Sequence, residues 1–253
     1  MQYFEDDYQI LTHDADAFGL WRPDAAFRLM QEIAGAHSAL LGMGRDDLMR
    51  TRGCVWMLAR AHLEVLRYPR LYDTLHAKTW YGTPGRVTYL RYITVSDDAG
   101  ARIANIATVW VVAELASRRI LLPGKALLPF PPAPEEAPPL PEPGKVRPQK
   151  AGKPQLSERT PRYSDLDING HMNNASYIAW ILDLFPMEYH GVHRIKNIRI
   201  GYSTEARPGE PVEMALYESG MDFETIGRDK KDGHIVFEAR GDWQRCTSAT
   251  GRG

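Results

Sequence analysis

The chain has 253 residues, 43% of them hydrophobic, and a formal net charge of −1 at pH 7. That length suits one large domain or two small ones, and near-neutral charge argues against binding nucleic acid through phosphate neutralisation. Two cysteines, Cys54 and Cys246, make no disulfide framework and fit a reducing compartment.

The opening residues, Met1 to Tyr8, are acidic and lack the apolar stretch of a secretory signal. No run approaches the roughly 18 apolar residues of a membrane span, so a soluble cytoplasmic protein is expected. Tyr3 to Thr12 predicts a first strand. Pro23 then stands where a helix accepts it, in the first turn, and Asp24 follows at the positive end of the dipole. Phe27, Met30, Ile33, Ala34, His37 and Leu41 trace one apolar face, which Gly42 and Gly44 stop. From Cys54 the period changes to two. Val55, Met57, Ala59, Ala61, Leu63 and Val65 alternate with Trp56, Leu58, Arg60, His62 and Glu64. Further strands are predicted at Asp73–Tyr81, Arg86–Ser96 and Arg102–Glu114, with turns at 82–85 and 97–100. One helix followed by a run of strands, without βαβ alternation, indicates α+β with an antiparallel sheet.

Residues 123–154 hold eleven of the 18 prolines and read as an extended spacer between modules. Beyond it, Asp165, Asp167, Asn169 and His171 occupy alternate positions, which share a face if the segment is extended. Asp and Asn can equally build a turn and cap a helix. Ile178, Ile181, Leu182 and Phe185 mark a helix, with Asn173 or Asn174 as its N-cap. The polar cluster therefore lies at a helix start, where backbone N–H groups and the dipole favour an oxyanion. Strands follow at Val192–Thr204, Pro211–Ser219, Phe223–Arg228 and His234–Arg245, with a hairpin turn at 230–233, and the last six residues are small and polar.

The second half thus repeats the order of the first. An offset of 151 positions sets Asp14 on Asp165, Asp16 on Asp167, Gly19 on Gly170, Phe27 on Ile178 and Met30 on Ile181. At that register Phe18 faces Asn169 and Leu20 faces His171, so the amino-terminal copy keeps the carboxylates and lacks the amide and imidazole. One fold duplicated, with one working half, is expected; the other half can line a pocket.

The run Asp165-Leu-Asp-Ile-Asn-Gly-His-Met-Asn-Asn, continuing through Tyr177-Ile-Ala-Trp-Ile-Leu182, resembles the catalytic segment of the plant and bacterial acyl-acyl-carrier-protein thioesterases. Leu66-Arg-Tyr-Pro through Thr79-Trp80 resembles a segment in the amino-terminal half of the same enzymes. The resemblance implies two tandem hot-dog domains, each an antiparallel sheet wrapped around a central helix. The expected boundaries are 1–122 for the amino-terminal domain with a degenerate site, 123–153 for the linker, 154–247 for the carboxy-terminal domain and 248–253 for a tail. It also implies that Asp167, Asn169 and His171 are joined by the Glu of a Tyr-x-x-Glu segment, here Glu205 of Tyr202-Ser-Thr-Glu205.

In that scheme Glu205 activates water, His171 and Asn169 orient water or carbonyl, and Asp167 holds the network. Backbone N–H groups near Asn173 and Asn174 receive the oxyanion. The family often has Cys after this Glu; here Ala206 stands there, which leaves hydrolysis by water. The expected partner is an acyl-carrier protein with a phosphopantetheine-linked acyl chain, hydrolysed in fatty acid biosynthesis without cofactor or metal by a monomer or homodimer. An acyl-CoA thioesterase and a non-catalytic acyl-binding module are the alternatives, since fold does not secure function. His190 and His193 make a poor metal site without a third ligand. Arg67, Arg70, Arg86 and Arg91 could receive phosphate or an acidic carrier, or be solvated strand residues.

Overall fold

A computed structural model describes residues 1–246 apart from 118, 127 and 151. The chain divides into two compact units, Met1–Gly144 and Lys145–Gly253. In the first, β1 (Tyr3–Gln9), α1 (Pro23–Leu40), α2 (Arg45–Arg52), β2 (Cys54–Val65), β3 (Thr74–Tyr81), β4 (Tyr89–Ser96), β5 (Arg102–Glu114), β6 (Ile120–Leu121) and α3 (Pro123–Ala126) follow in order. The strands pair antiparallel in the order β1-β3-β4-β5-β2, and β6 folds back on β5.

Helix α1 forms as its apolar period predicts. Pro23 sits in its opening turn, where the missing N–H costs nothing, and Ala26, Phe27, Met30, Ile33, Ala34 and His37 are buried. The helix packs on β1 and β3. It ends at Leu40, and Gly42 takes a left-handed φ of +67°. The helix α2 was not expected, because Leu48 is its only buried side chain and no stripe can be read from one residue. Asp46 and Asp47 in its first turn and Arg50 and Arg52 in its last match the dipole. Strand β4 starts at Tyr89 rather than Arg86, since Gly85 N–H bonds Thr88 O in a turn at 2.8 Å.

The proline-rich stretch up to Gly144 lies against the first unit. Phe130 stands 4.7 Å from Tyr81 and 4.8 Å from Tyr89 between ring centroids, and Leu140 is buried beside Trp80 and Tyr92.

The second unit contains β7 (Gln155–Arg159), a 3-10 turn at Tyr163–Asp165, α4 (Asn174–Leu182), α5 (Met187–Val192), β8 (His193–Tyr202), β9 (Val212–Ser219), β10 (Asp222–Asp229) and β11 (Ile235–Arg245). Its sheet runs antiparallel in the order β8-β11-β10-β9-β7. Helix α4 stops three residues before Phe185, because Pro186 cannot continue it and instead opens α5. Phe185 is nonetheless core, at 5.3 Å from Phe223 and 4.8 Å from Trp243. Tyr177 of α4 packs 5.3 Å from Phe237 of β11. Each unit is thus an antiparallel sheet with one main helix on it, the α+β hot-dog arrangement. Among the described residues no helix is long and apolar enough to cross a membrane.

Candidate active site

The polar segment before α4 is a closed loop rather than the extended run that its alternation suggested. Asp167 N–H donates to His171 O at 2.7 Å, and Gly170 N–H donates to Asp167 O at 3.0 Å. Gly170 supplies the φ of +74° that this turn requires and that a side chain would disfavour. The Asp167 carboxylate seals the loop from inside. Its Oδ1 accepts from the N–H groups of Asn169 at 2.8 Å and His171 at 3.1 Å, and Oδ2 accepts from Asn169 Nδ2 at 3.1 Å. Asp165 faces other partners, accepting from Arg162 N–H at 2.9 Å and Trp180 Nε1 at 3.3 Å.

The same loop exists in the first unit, with the same backbone donors. Asp16 N–H donates to Leu20 O, Gly19 N–H to Asp16 O, and Phe18 and Leu20 N–H to Asp16 Oδ1, all between 2.8 and 3.0 Å. Gly19 has φ +71°. Arg22 N–H to Asp14 O at 2.9 Å corresponds to Asn173 N–H to Asp165 O at 2.8 Å. The offset of 151 therefore describes the backbone as well as the sequence.

What the second unit adds is a contact between distant positions. His171 Nδ1 lies 3.0 Å from Glu205 Oε1, with the two side chains 38% and 39% exposed. Both groups are thus open to solvent. Asp167, Asn169, His171 and Glu205 are thus linked in series: Asp167 holds the Asn169 amide and the His171 backbone, and His171 holds Glu205.

Asn173 is the N-cap of α4. Its side-chain oxygen accepts from Ala175 N–H at 2.8 Å, and its own N–H and C=O bond Asp165 O and Ser176 N–H. Of the N–H groups near Asn173 and Asn174 expected to receive an oxyanion, that of Asn173 is committed to Asp165 O. Asn174 opens the helix, and its carbonyl accepts from the Tyr202 hydroxyl at 3.1 Å.

Two tyrosines tie the segment around Glu205 to α4. Ala206 N–H donates to the Tyr177 hydroxyl at 3.1 Å, which ties the residue after Glu205 to α4. Burial, with Glu205 close by, pushes the Tyr177 phenol up to about 12. Burial and then Tyr177 hold the Tyr202 phenol well above its ordinary value, so both stay protonated. Their rings are 5.3 Å apart. Both lie inside the motifs quoted above, at positions whose apolar bodies hide a polar tip.

Other expectations resolve plainly. His190 Nε2 meets Leu182 O at 3.0 Å and His193 Nδ1 meets Tyr189 O at 3.2 Å, so each engages a backbone carbonyl. No cluster of three metal-binding side chains stands together among the described residues. Arg91 is buried on Thr79, Ser38 and His37, which removes it as a surface receptor for phosphate, and Arg67 pairs with Asp97.

Comparison with known proteins places these features. The family model for the acyl-ACP thioesterase N-terminal domain matches residues 1–122, and that for the C-terminal domain matches residues 149–245. The chloroplastic oleoyl-acyl carrier protein thioesterase of Coriandrum sativum is 30% identical over 202 residues, covering 73% of this chain and 54% of that protein. The chloroplastic palmitoyl-acyl carrier protein thioesterase of Cuphea hookeriana is 27% identical over 263 residues, covering 95% and 62%. The chain therefore spans little more than half the length of these curated relatives. Among solved structures, an acyl-ACP thioesterase from Bacteroides thetaiotaomicron superposes with a TM-score of 0.85 at 24% identity, covering 96% of this chain and 98% of its own. The 12:0-ACP thioesterase from Umbellularia californica gives 0.80 at 23%, with the same coverage. At those identities the structural likeness speaks for the fold.

Proposed function

We propose, from the premise that the chain belongs to the acyl-ACP thioesterase family, that it hydrolyses acyl-acyl-carrier-protein thioesters and releases free fatty acids for fatty acid biosynthesis. The observation that carries the proposal is the His171 Nδ1 to Glu205 Oε1 contact of 3.0 Å, which joins two motif residues from separate segments at a solvent-accessible place.

In this reading His171 Nδ1–H donates to Glu205 Oε1 and fixes the carboxylate, while Oε2 takes a proton from a bound water. The water oxygen attacks the thioester carbonyl carbon. Asn169, whose amide Asp167 holds, orients that carbonyl. The tetrahedral intermediate then collapses, the carbon–sulfur bond breaks, and the phosphopantetheine thiolate leaves and recovers the proton from Glu205. Nucleophilic attack by a thiol after Glu205 has no candidate here, because Ala206 fills that position and is buried. Asp167 acts through the loop and is a positioning residue. A cytoplasmic setting belongs to the same proposal and is supported by the free thiols of Cys54 and Cys246.

The test is single-turnover hydrolysis of acyl-ACP by the purified chain and by Glu205→Gln and His171→Ala. Loss of one general-base partner is expected to lower the rate by about 10²–10⁴-fold with the fold intact. Glu205→Gln turning over at the parental rate would remove that carboxylate from the reaction. Parallel assays with acyl-CoA of matched chain length decide the carrier preference, and a folded chain inert on both would be a binding module.

A further inference from the structure

The two loops that carry His171 and Glu205 also carry side chains that neither the fold nor the chemistry uses. Tyr163 is 94% exposed and Ile168, at the tip of the Asp167-closed loop, is 82% exposed. Arg162 and Arg207 are exposed too, and neither guanidinium has an ion pair among the described residues. Glu205, two residues before Arg207, gives its Oε1 to His171 instead. Gly209 N–H donates to Pro161 O at 3.2 Å, so the segment bearing Arg162 and Tyr163 adjoins the one bearing Glu205 and Arg207. The four side chains therefore border one site.

The chain contains its own control. At the offset of 151, Arg162, Tyr163 and Ile168 correspond to Leu11, Thr12 and Ala17. The first-unit loop has the same backbone bonds with those residues, so the arginine, phenol and branched side chain are not needed to build it. Two large apolar groups left almost wholly in water contribute nothing to packing. Together with two uncompensated cations beside an open site, they have the make-up of an interface: an aromatic and aliphatic anchor within a charged rim.

We propose that Arg162, Tyr163, Ile168 and Arg207 form the docking rim for the carrier protein, meeting a carboxylate-rich face around the point where its phosphopantetheine arm leaves. This rests on the hydrolase reading above, because the arm must bring its thioester to the His171–Glu205 pair. The arginines complement negative charge on the carrier, and Tyr163 and Ile168 are covered when it docks. The carrier itself, rather than the acyl chain, is what the rim reads.

The experiment uses the full chain and two double variants, Arg162→Glu with Arg207→Glu, and Tyr163→Ser with Ile168→Ser. The first readout is the Kd for carrier protein loaded with a non-hydrolysable acyl amide. The second is hydrolysis of an acyl N-acetylcysteamine thioester, which has neither carrier nor phosphate. Each double variant is expected to weaken carrier binding by about tenfold or more, the charge reversal less so at high salt. Hydrolysis of the short thioester is expected to stay within about twofold, since interface losses are local to the partner surface. Unchanged carrier binding overturns the rim, and so does an equal loss on both readouts, which would place these residues in the chemistry. A parent chain that binds the carrier but hydrolyses neither thioester sinks the hydrolase reading and leaves the rim standing. A parent chain that neither binds nor hydrolyses overturns both.

Discussion

Glu205 lies in an exposed loop just after β8, and the base role proposed for it requires that it be held. The hold comes from the next residue. Ala206 is buried, and its N–H has the Tyr177 hydroxyl as acceptor at 3.1 Å. Removing that oxygen leaves a buried donor unmatched, which costs about 1–3 kcal/mol where the backbone cannot shift. Here it can shift, because the following residues Arg207–Gly209 are exposed. Tyr177→Phe is therefore expected to destabilise the chain by about 1 kcal/mol and to lower kcat by about tenfold with KM little changed. Urea unfolding and steady-state hydrolysis measure the two. A Tyr177→Phe enzyme with parental kcat would show that Glu205 is held by His171 alone.

At the scale of elements, what could be read from the sequence depended on how many side chains each element buries. Helix α1 buries one face along its whole length, so Phe27, Met30, Ile33 and His37 announce it. The short helices α2 and α5 bury one residue or none and leave no period to find. The shape of the loop before α4 stays open in the sequence for a related reason. Asp165, Asp167, Asn169 and His171 alternate as a strand would, but Gly170 and the Asp167 carboxylate bend the backbone, and hydrogen bonds within a turn leave no hydrophobic period. Glu205 had no local signal, and only the family pattern Tyr-x-x-Glu pointed to it. His37 is readable as part of the α1 face, but its buried partner Arg91 is not. The His37 Nδ1 lies 3.1 Å from Arg91 Nη1, which can only donate, so the imidazole is neutral there. Burial first, and then Arg91, lowers its pKa to about 4. The unfolded chain binds that proton near its ordinary 6.5, so between these values the unfolded state carries more protons than the native one. Stability is therefore expected to be full above pH 6.5, to fall as pH drops towards 4, and to lose no more from this group below that. The step is of the order of 3 kcal/mol at most. Denaturant midpoints measured across this range should show it, and His37→Gln should flatten it.

At the scale of the molecule, duplication separates what a residue does for the fold from what it does for the chemistry. Asp16 and Asp167 make the same two backbone hydrogen bonds in the same turn, one beside Phe18 and Leu20, the other beside Asn169 and His171. Fold maintenance is thus common to both carboxylates, and the proposed catalytic importance belongs to the second alone. Asp16→Ala and Asp167→Ala form a matched pair. Each removes charge-assisted bonds to two N–H groups, and each is expected to cost about 1–3 kcal/mol in unfolding free energy. Only Asp167→Ala should also slow hydrolysis, by about tenfold or more, through a displaced Asn169 amide and His171 ring. Asp167→Asn refines the comparison, because an amide oxygen still accepts the two backbone bonds. It should recover most of the stability, and the activity with it if the carboxylate matters only as a brace. If Asp167→Asn is as stable as the parent yet as slow as Asp167→Ala, then the negative charge itself assists the reaction, and the positioning role assigned to Asp167 is wrong. If Asp16→Ala slows hydrolysis as much as Asp167→Ala does, the two units do not divide the labour in this way.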